Sequence, residues 1–315
     1  MKLFLKLFVF LVITYFFLFI SGFYYDKKVS NLYIDKPSYI INCKGQHYDY
    51  LVGGSSRVHN NFNTVLFDSL TGLSGFNIGY SGSGLAQNYL TLYLFLKNGN
   101  TVKTYIQQLE DAALRKNAYT HPLYEYFFMH YLANDKNVQE FYKCNVPLYK
   151  YYIWRYIPVL KYLEFNNYCR LSNIISNKEI DKNELKNKGY AKLSIKHKST
   201  FPAKEYPDLY SEFEMDTLNI YYLKKINNLC KEYKVHYLFY TSPIYHKYYL
   251  SYKPNNLKNG LTNYLNSNKI NYFDFSLDAR YSSDSLFLDE THLNASGTDI
   301  FTRQLANTLK NTLKK

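Results

Sequence analysis

Tyr48-Asp49-Tyr50-Leu51-Val52 runs straight into Gly53-Gly54-Ser55-Ser56. Aromatic and β-branched residues favour a pleated strand, and a Gly/Ser cluster breaks one. The pattern recurs at Phe76-Asn77-Ile78, which ends in Gly79-Tyr80-Ser81-Gly82-Ser83-Gly84. A helix-like stretch from Leu85 to Lys97 leads to a third strand-like run, Thr101 to Leu109, closed by Glu110-Asp111. Later, Leu218, Tyr222, Ile226, Leu229 and Cys230 fall at helical spacing before the strand-like Val235 to Tyr240 and its terminator Ser242-Pro243. Tyr272 to Phe275 supplies a fifth short strand. Strands alternating with helices predict an α/β fold, a three-layer α/β/α arrangement around a parallel sheet of about five strands.

The C-terminus predicts a helix capped by Ser296, with Asp299 three residues on and an apolar stripe of Phe301, Leu305, Leu309 and Leu313. Lys310, Lys314 and Lys315 follow where the helix dipole favours cations. Between about 112 and 214 the alternation fails and the chain turns helical, aromatic and basic, which reads as an insertion over the sheet. Tyr151, Tyr152, Trp154, Tyr156 and Tyr162 crowd its densest part. They suit either a stacking platform for sugar rings or packing of the insertion.

Leu7 to Tyr25 forms 19 uncharged residues between Lys6 and Asp26, rich in Leu, Phe, Ile and Val. That length crosses a bilayer core of about 30 Å as a helix. Ile20-Ser21-Gly22 is a poor cleavage site, so residues 1–25 read as an uncleaved signal anchor and 26–315 as the domain it tethers. The tethered part is therefore expected outside the cytoplasm, periplasmic or at the cell surface.

The chain carries 38 Lys+Arg against 25 Asp+Glu, a net charge of +13. Such a balance suits an anionic polymer or membrane, and the anchor argues against nucleic acid. With 47% hydrophobic and 20% charged residues among 315, an intrinsically disordered chain is excluded. The four cysteines, Cys43, Cys144, Cys169 and Cys230, contain no C-x-x-C pair. No histidine has zinc-enzyme spacing to further ligands, so the reading carries neither metal nor cofactor. His59 and His246 read as structural or exposed.

Ligands collect at the carboxyl ends of strands in open parallel sheets, which draws attention to Gly54-Ser55-Ser56-Arg57. A serine at such a turn needs a base. Asp289-Glu290-Thr291-His292-Leu293-Asn294 places an acid three residues before a histidine. Histidine takes a serine proton and returns it to the leaving group, while the carboxylate holds the tautomer.

A G-S-S-R turn after the first strand, an N-x-G-x-S-G turn after the second and D-x-x-H-L-N-x-x-G before a terminal helix together resemble the SGNH/GDSL hydrolase superfamily. The likeness runs in order from about Tyr48 to the C-terminus, outside the insertion. It implies a flavodoxin-like SGNH fold, with Ser56 as nucleophile and Asp289 and His292 as acid and base. It also implies an oxyanion hole of the Ser56 and Gly82 backbone N–H groups, with Gly79 as the alternative register. Ser55 stands where the family has aspartate, as in its membrane-anchored, polysaccharide-associated branches. The G-x-N-D block is missing, because the third strand ends Gln107-Gln108-Leu109-Glu110. Gln108 is the candidate replacement for the missing amide, and Arg57 a candidate substrate contact.

The resemblance implies a serine esterase or O-acyltransferase acting on a carbohydrate ester such as an acetylated surface polysaccharide. The competing expectation is a catalytically degenerate protein of the same fold that binds or assembles an anionic surface polymer.

Overall fold

The structure, a computed structural model, describes residues 1–30, 35–110, 114, 122–164, 182–193, 216–246 and 255–313. Cys169, Lys314, Lys315 and most of the 112–214 segment outside 122–164 and 182–193 lie beyond these. Among the described residues the helices, in chain order, are α1 (Lys2–Val29), α2 (Lys36–Asn42), α3 (Ser56–Asn61), α4 (Thr64–Thr71), α5 (Leu85–Lys97), α6 (Lys136–Asn145), α7 (Leu148–Tyr156), α8 (Lys161–Glu164), α9 (Lys182–Lys186), α10 (Thr217–Glu232), α11 (Asn255–Ser267) and α12 (Ala295–Leu313). The strands are β1 (His47–Gly53), β2 (Gly75–Asn77), β3 (Thr101–Gln108), β4 (His236–Thr241) and β5 (Tyr272–Asp274).

The chain forms two compact units: residues 1–42 with 122–180, and residues 43–121 with 181–315. The segment read as an insertion, about 112–214, is shared between the units: 122–164 clusters with the N-terminal helices and 182–193 with the sheet.

In the second unit every strand pair is parallel, in the order β2-β1-β3-β4-β5. The order reverses between β1 and β3, the switch point beside which open parallel sheets bind ligands at the carboxyl ends of their strands. The expected three-layer α/β fold with a five-stranded parallel sheet is the fold observed. Strand boundaries move by a residue or two, and α5 spans the whole of Leu85–Lys97 as read from its pattern.

Alternating side chains along the strands feed two cores. On one face Tyr50, Val52, Ile106, Leu238 and Tyr240 pack with Val58, Phe62 and Phe67 and with Phe301, Leu305 and Leu309 of α12. Leu51, Tyr105 and Phe239 are fully buried on the other face, where α5 and α10 pair through Tyr89 and Tyr222 at 5.9 Å between ring centroids. The outer edge of β2 is closed by the 187–190 turn, whose Lys188 carbonyl accepts from the Asn77 N–H at 2.9 Å.

The cap of α12 differs from expectation. Asn294, not Ser296, does the work: its side-chain oxygen accepts from Gly297 N–H at 3.0 Å and its carbonyl from Thr298 N–H at 2.8 Å. The helix starts one residue before Ser296, which is therefore inside its first turn.

In the first unit the apolar helix α1 is long enough to cross a membrane. Its far end is tied down by Asp26, which pairs with Lys161 Nζ at 2.7 Å and accepts from the Tyr162 hydroxyl. Lys161 also donates to the Met129 carbonyl at 2.9 Å. Leaving one partner of a buried pair without the other is costly, which holds α1 and α8 in one register.

Phe301 is the centre of the α12 face, in ring contact with Phe275 at 5.5 Å, Tyr240 at 5.9 Å and Tyr281 at 6.0 Å. Phe301→Ala is expected to destabilise the second unit by about 3–5 kcal/mol, measured as a lowered urea midpoint. A loss under about 1 kcal/mol would show that α12 is not integral to this core.

Candidate active site

The turn after β1 is built by crowding. Gly54 has φ +154, and a Cβ there would lie 2.4 Å from Val58 Cγ2 and 2.9 Å from Gln108 Cβ. Only glycine lets the chain pass between α3 and the end of β3. Ser55 then caps α3: its side-chain oxygen accepts from Arg57 N–H at 3.3 Å, and its carbonyl accepts from Val58 and His59. Ser56 is the first residue of that helix, where a backbone N–H has no intrahelical acceptor.

The loop before α12 supplies the other half. Phe287 and Leu293 pair across an antiparallel bridge, and Leu288 N–H donates to the His292 carbonyl at 2.8 Å. Leu293 plugs the core. Gly297 passes so close to the Leu286 carbonyl that a Cβ would sit 2.2 Å from its oxygen. Each fixed position of D-x-x-H-L-N-x-x-G thus has a packing or bonding reason.

Polar side chains lock the two halves together. Leu293 N–H donates to Asn61 Oδ1 at 3.1 Å, Thr298 Oγ1 to the Asn60 carbonyl at 3.1 Å, and Asn63 Nδ2 to Asp299 Oδ1 at 2.8 Å. The result is a continuous chain of hydrogen bonds. Ser56 Oγ lies 2.7 Å from His292 Nε2, and His292 Nδ1 lies 2.9 Å from both carboxylate oxygens of Asp289. With the carboxylate on Nδ1, that nitrogen carries the proton and Nε2 is left as acceptor for the serine hydroxyl.

Burial alone would raise the Asp289 carboxyl. The His292 ring beside it and the N–H groups of Thr291 and His292, at 2.9 and 2.8 Å, outweigh burial and hold it down at about 2. It is a carboxylate throughout the neutral range.

The second turn touches the first through Gly54, whose carbonyl accepts from Ser83 Oγ at 2.6 Å and Tyr80 N–H at 3.2 Å. Ser83 N–H closes a turn onto the Tyr80 carbonyl, with Gly82 at φ +77, a conformation that favours glycine. Gly79 spends its N–H on Asn77 Oδ1 at 3.0 Å. That commitment favours Gly82 over Gly79 as a donor to any bound oxyanion.

Gln108 is buried at the mouth of the turn, but its Nε2 donates to the Leu109 carbonyl at 3.1 Å, and it is Oε1 that faces Gly54. Asn77 spends its amide on the carbonyls of Val58 and Phe62. Arg57 is buried and donates to the carbonyls of Ser242 and Pro243 at 2.5 and 3.1 Å, bracing α3 against the end of β4. His59 bonds Glu184 at 2.7 Å, and His246 is exposed.

Sequence reasoning missed Glu110. Ser55 Oγ donates to its carboxylate at 2.5 Å, placing an acid one residue from Ser56. Its position directly after β3 was the available signal. The Asn60, Asn61 and Asn63 lock was also missed, since asparagine is abundant throughout the chain. Tyr151, Trp154 and Tyr162 are buried and Tyr152 and Tyr156 exposed, all within the first unit.

No protein-family model matches the chain, and no curated protein matches it.

Because the Asp289 carboxyl is held at about 2, below its ordinary 3.8, its contribution to stability is present above 3.8 and lost as pH falls through about 2. The gap in urea midpoint between the native chain and Asp289→Asn should therefore narrow as pH is taken from about 5 down to about 2. A gap constant over that range would mean that the carboxylate is not favoured in the folded state.

Proposed function

We propose that the second unit is an acyl-transfer domain of SGNH type, a serine esterase or O-acyltransferase acting on carbohydrate esters. The observation that carries the reading is the Ser56–His292–Asp289 relay, with 2.7 Å and 2.9 Å links between residues from opposite ends of the unit. Nucleophile, base and orienter are in line at the sheet's switch point, within the reach that proton transfer demands.

In the first half-reaction His292 Nε2 takes the Ser56 proton as Oγ attacks the ester carbonyl. The carbonyl π electrons move onto oxygen, giving a tetrahedral oxyanion, while Asp289 stabilises the imidazolium. Collapse breaks the ester C–O bond, and the sugar oxygen leaves with the proton from His292. The acyl group stays on Ser56. In the second half, water or a sugar hydroxyl gives its proton to His292 and attacks the acyl carbon; the bond to Ser56 Oγ then breaks, and Oγ takes the proton back from His292. The backbone N–H groups of Ser56 and Gly82 are the donors assigned to the oxyanion.

Since the amides of Asn77 and Gln108 are committed to carbonyls, the hole lacks a side-chain donor from either. One such donor is worth about 3 kcal/mol, so turnover is expected to be slower by roughly a hundredfold than with a complete hole. The same observation, with the net charge of +13, supports the second reading, a protein that holds an anionic surface polymer without turning it over.

Residues 1–25 serve in this reading as a membrane anchor that leaves the domain outside the cytoplasm. Alkaline phosphatase fused after Lys315 should be active, and an inactive fusion alongside a fluorescent cytoplasmic reporter fusion would reverse the topology.

The full-length protein is expected to hydrolyse small acetyl esters and to be labelled by a fluorophosphonate at Ser56. Ser56→Ala should abolish labelling and lower turnover by several orders of magnitude while changing the stability read from urea unfolding by less than about 0.5 kcal/mol. Absence of both turnover and labelling in the folded native chain would replace the enzyme with the polymer-binding reading. Loss of activity in Ser55→Ala with full activity in Ser56→Ala would move the nucleophile.

A further inference from the structure

Helix α7 is apolar on the wrong side for a helix in water. Its inward residues, Tyr151 and Trp154, are each 5% exposed, and Trp154 meets Tyr142 of α6 edge-on at 5.8 Å. Leu148, Tyr149, Tyr152, Ile153 and Tyr156 are 40–64% exposed. At about 100° per residue these five fall within one arc of roughly 140°, with Lys150 and Arg155 at its two borders. An aromatic-aliphatic arc bordered by basic groups is the pattern of a helix that lies in a lipid headgroup region.

The same unit fixes where that arc stands relative to α1. The 3-10 turn Pro158–Leu160, directly after α7, packs on α1. A Cβ on Gly22 would be 2.5 Å from Pro158 Cβ and 2.8 Å from Val159 N, so the two backbones touch there. Gly22 lies three residues before Tyr25, the end of the uncharged segment, which is about 5 Å along the helix axis. Just beyond it, Asp26 is buried against Lys161 and Tyr162. The C-terminal end of α7 is thereby held at the level where α1 changes from apolar to polar. Tyr24 on α1, 64% exposed, adds an aromatic group at that level, where tyrosines concentrate in membrane proteins.

We propose that α7 is an interfacial helix whose Leu148, Tyr149, Tyr152, Ile153 and Tyr156 face lies in the headgroup layer of the bilayer that α1 crosses. The proposal rests on the anchor reading of α1. The occupant is lipid rather than protein because the C-terminal end of α7, which carries Ile153 and Tyr156 of the arc, is held at the level of the α1 boundary. The function is to add a second, non-spanning contact, so that the first unit is held at a defined tilt on the membrane instead of swivelling about one helix.

The chain has one tryptophan, Trp154, which makes fluorescence a direct test. Full-length protein carrying Trp154→Phe with Tyr152→Trp, or with Phe16→Trp in α1, is reconstituted into phosphatidylcholine–phosphatidylglycerol vesicles. Lipids brominated near the headgroup should quench the position 152 indole about twofold, and aqueous iodide should leave it nearly unchanged. Lipids brominated near the chain ends should quench position 16. If Trp154→Phe prevents folding, Tyr152→Trp is added to the native chain and read as a difference against it. Quenching of 152 by iodide and not by bromine, with 16 still quenched by lipid, overturns the proposal while the anchor stands. Iodide access at 16 overturns the anchor reading, and the proposal with it. Shielding of 152 from both quenchers, growing with the protein-to-lipid ratio, identifies a second copy as occupant and also overturns it.

Discussion

The hydrogen bond between Ser56 Oγ and His292 Nε2 joins atoms 236 residues apart in the chain, and the proposed proton transfer works only across such a bond. Closing a loop of that length costs on the order of 5 kcal/mol in chain entropy before any contact repays it. The parallel sheet makes the closure geometrically simple, since β1 and the strands after it end on the same side. It does not by itself bring His292 to 2.7 Å from Ser56. That precision comes from the short polar links of Asn60, Asn61 and Asn63 to the α12 region, backed by the apolar contacts of Phe301 and Leu293.

This division of labour explains what could be read from the residues alone. The α/β alternation was legible because β1 and β2 stop at Gly/Ser clusters and β4 at Ser242-Pro243, and because the helices between strands carry apolar residues at helical spacing. The D-x-x-H-L-N-x-x-G segment was legible because its constraints are local: the acid and ring bond each other, Leu293 points into the core and Gly297 clears a carbonyl. Other features depend on partners distant in sequence. Glu110 matters through Ser55, and Gln108 turns its amide toward its own strand end instead of the cleft. The α12 cap shifted to Asn294 because Asn294 also bonds the Ser285 carbonyl at 2.7 Å, a loop contact that no helix pattern encodes.

The first unit obeys different rules. Its sequence has helical spacing but no punctuation, and 122–164 reads as an insertion until its partners among residues 1–42 are seen. Asp26 is the instructive residue. It looks like the charge that ends an apolar segment, yet it is buried and answers Lys161, far along the chain. A segment that resembles a detachable leader by composition therefore has its last turns built into a folded unit through Gly22, Asp26 and Val29.

The order of Ser56, His292 and α12 along the chain has a consequence for biosynthesis. The strand and turn that present Ser56 are made early, but its hydrogen-bond partner waits for residue 292, and the core that steadies the ring waits for Phe301, Leu305 and Leu309. A nascent chain that has not reached residue 292 therefore holds Ser56 without the imidazole that bonds it. Under the proposed function, Ser56 gains its partner only once residue 292 and the core of α12 have been made, so a copy stalled before them is chemically silent.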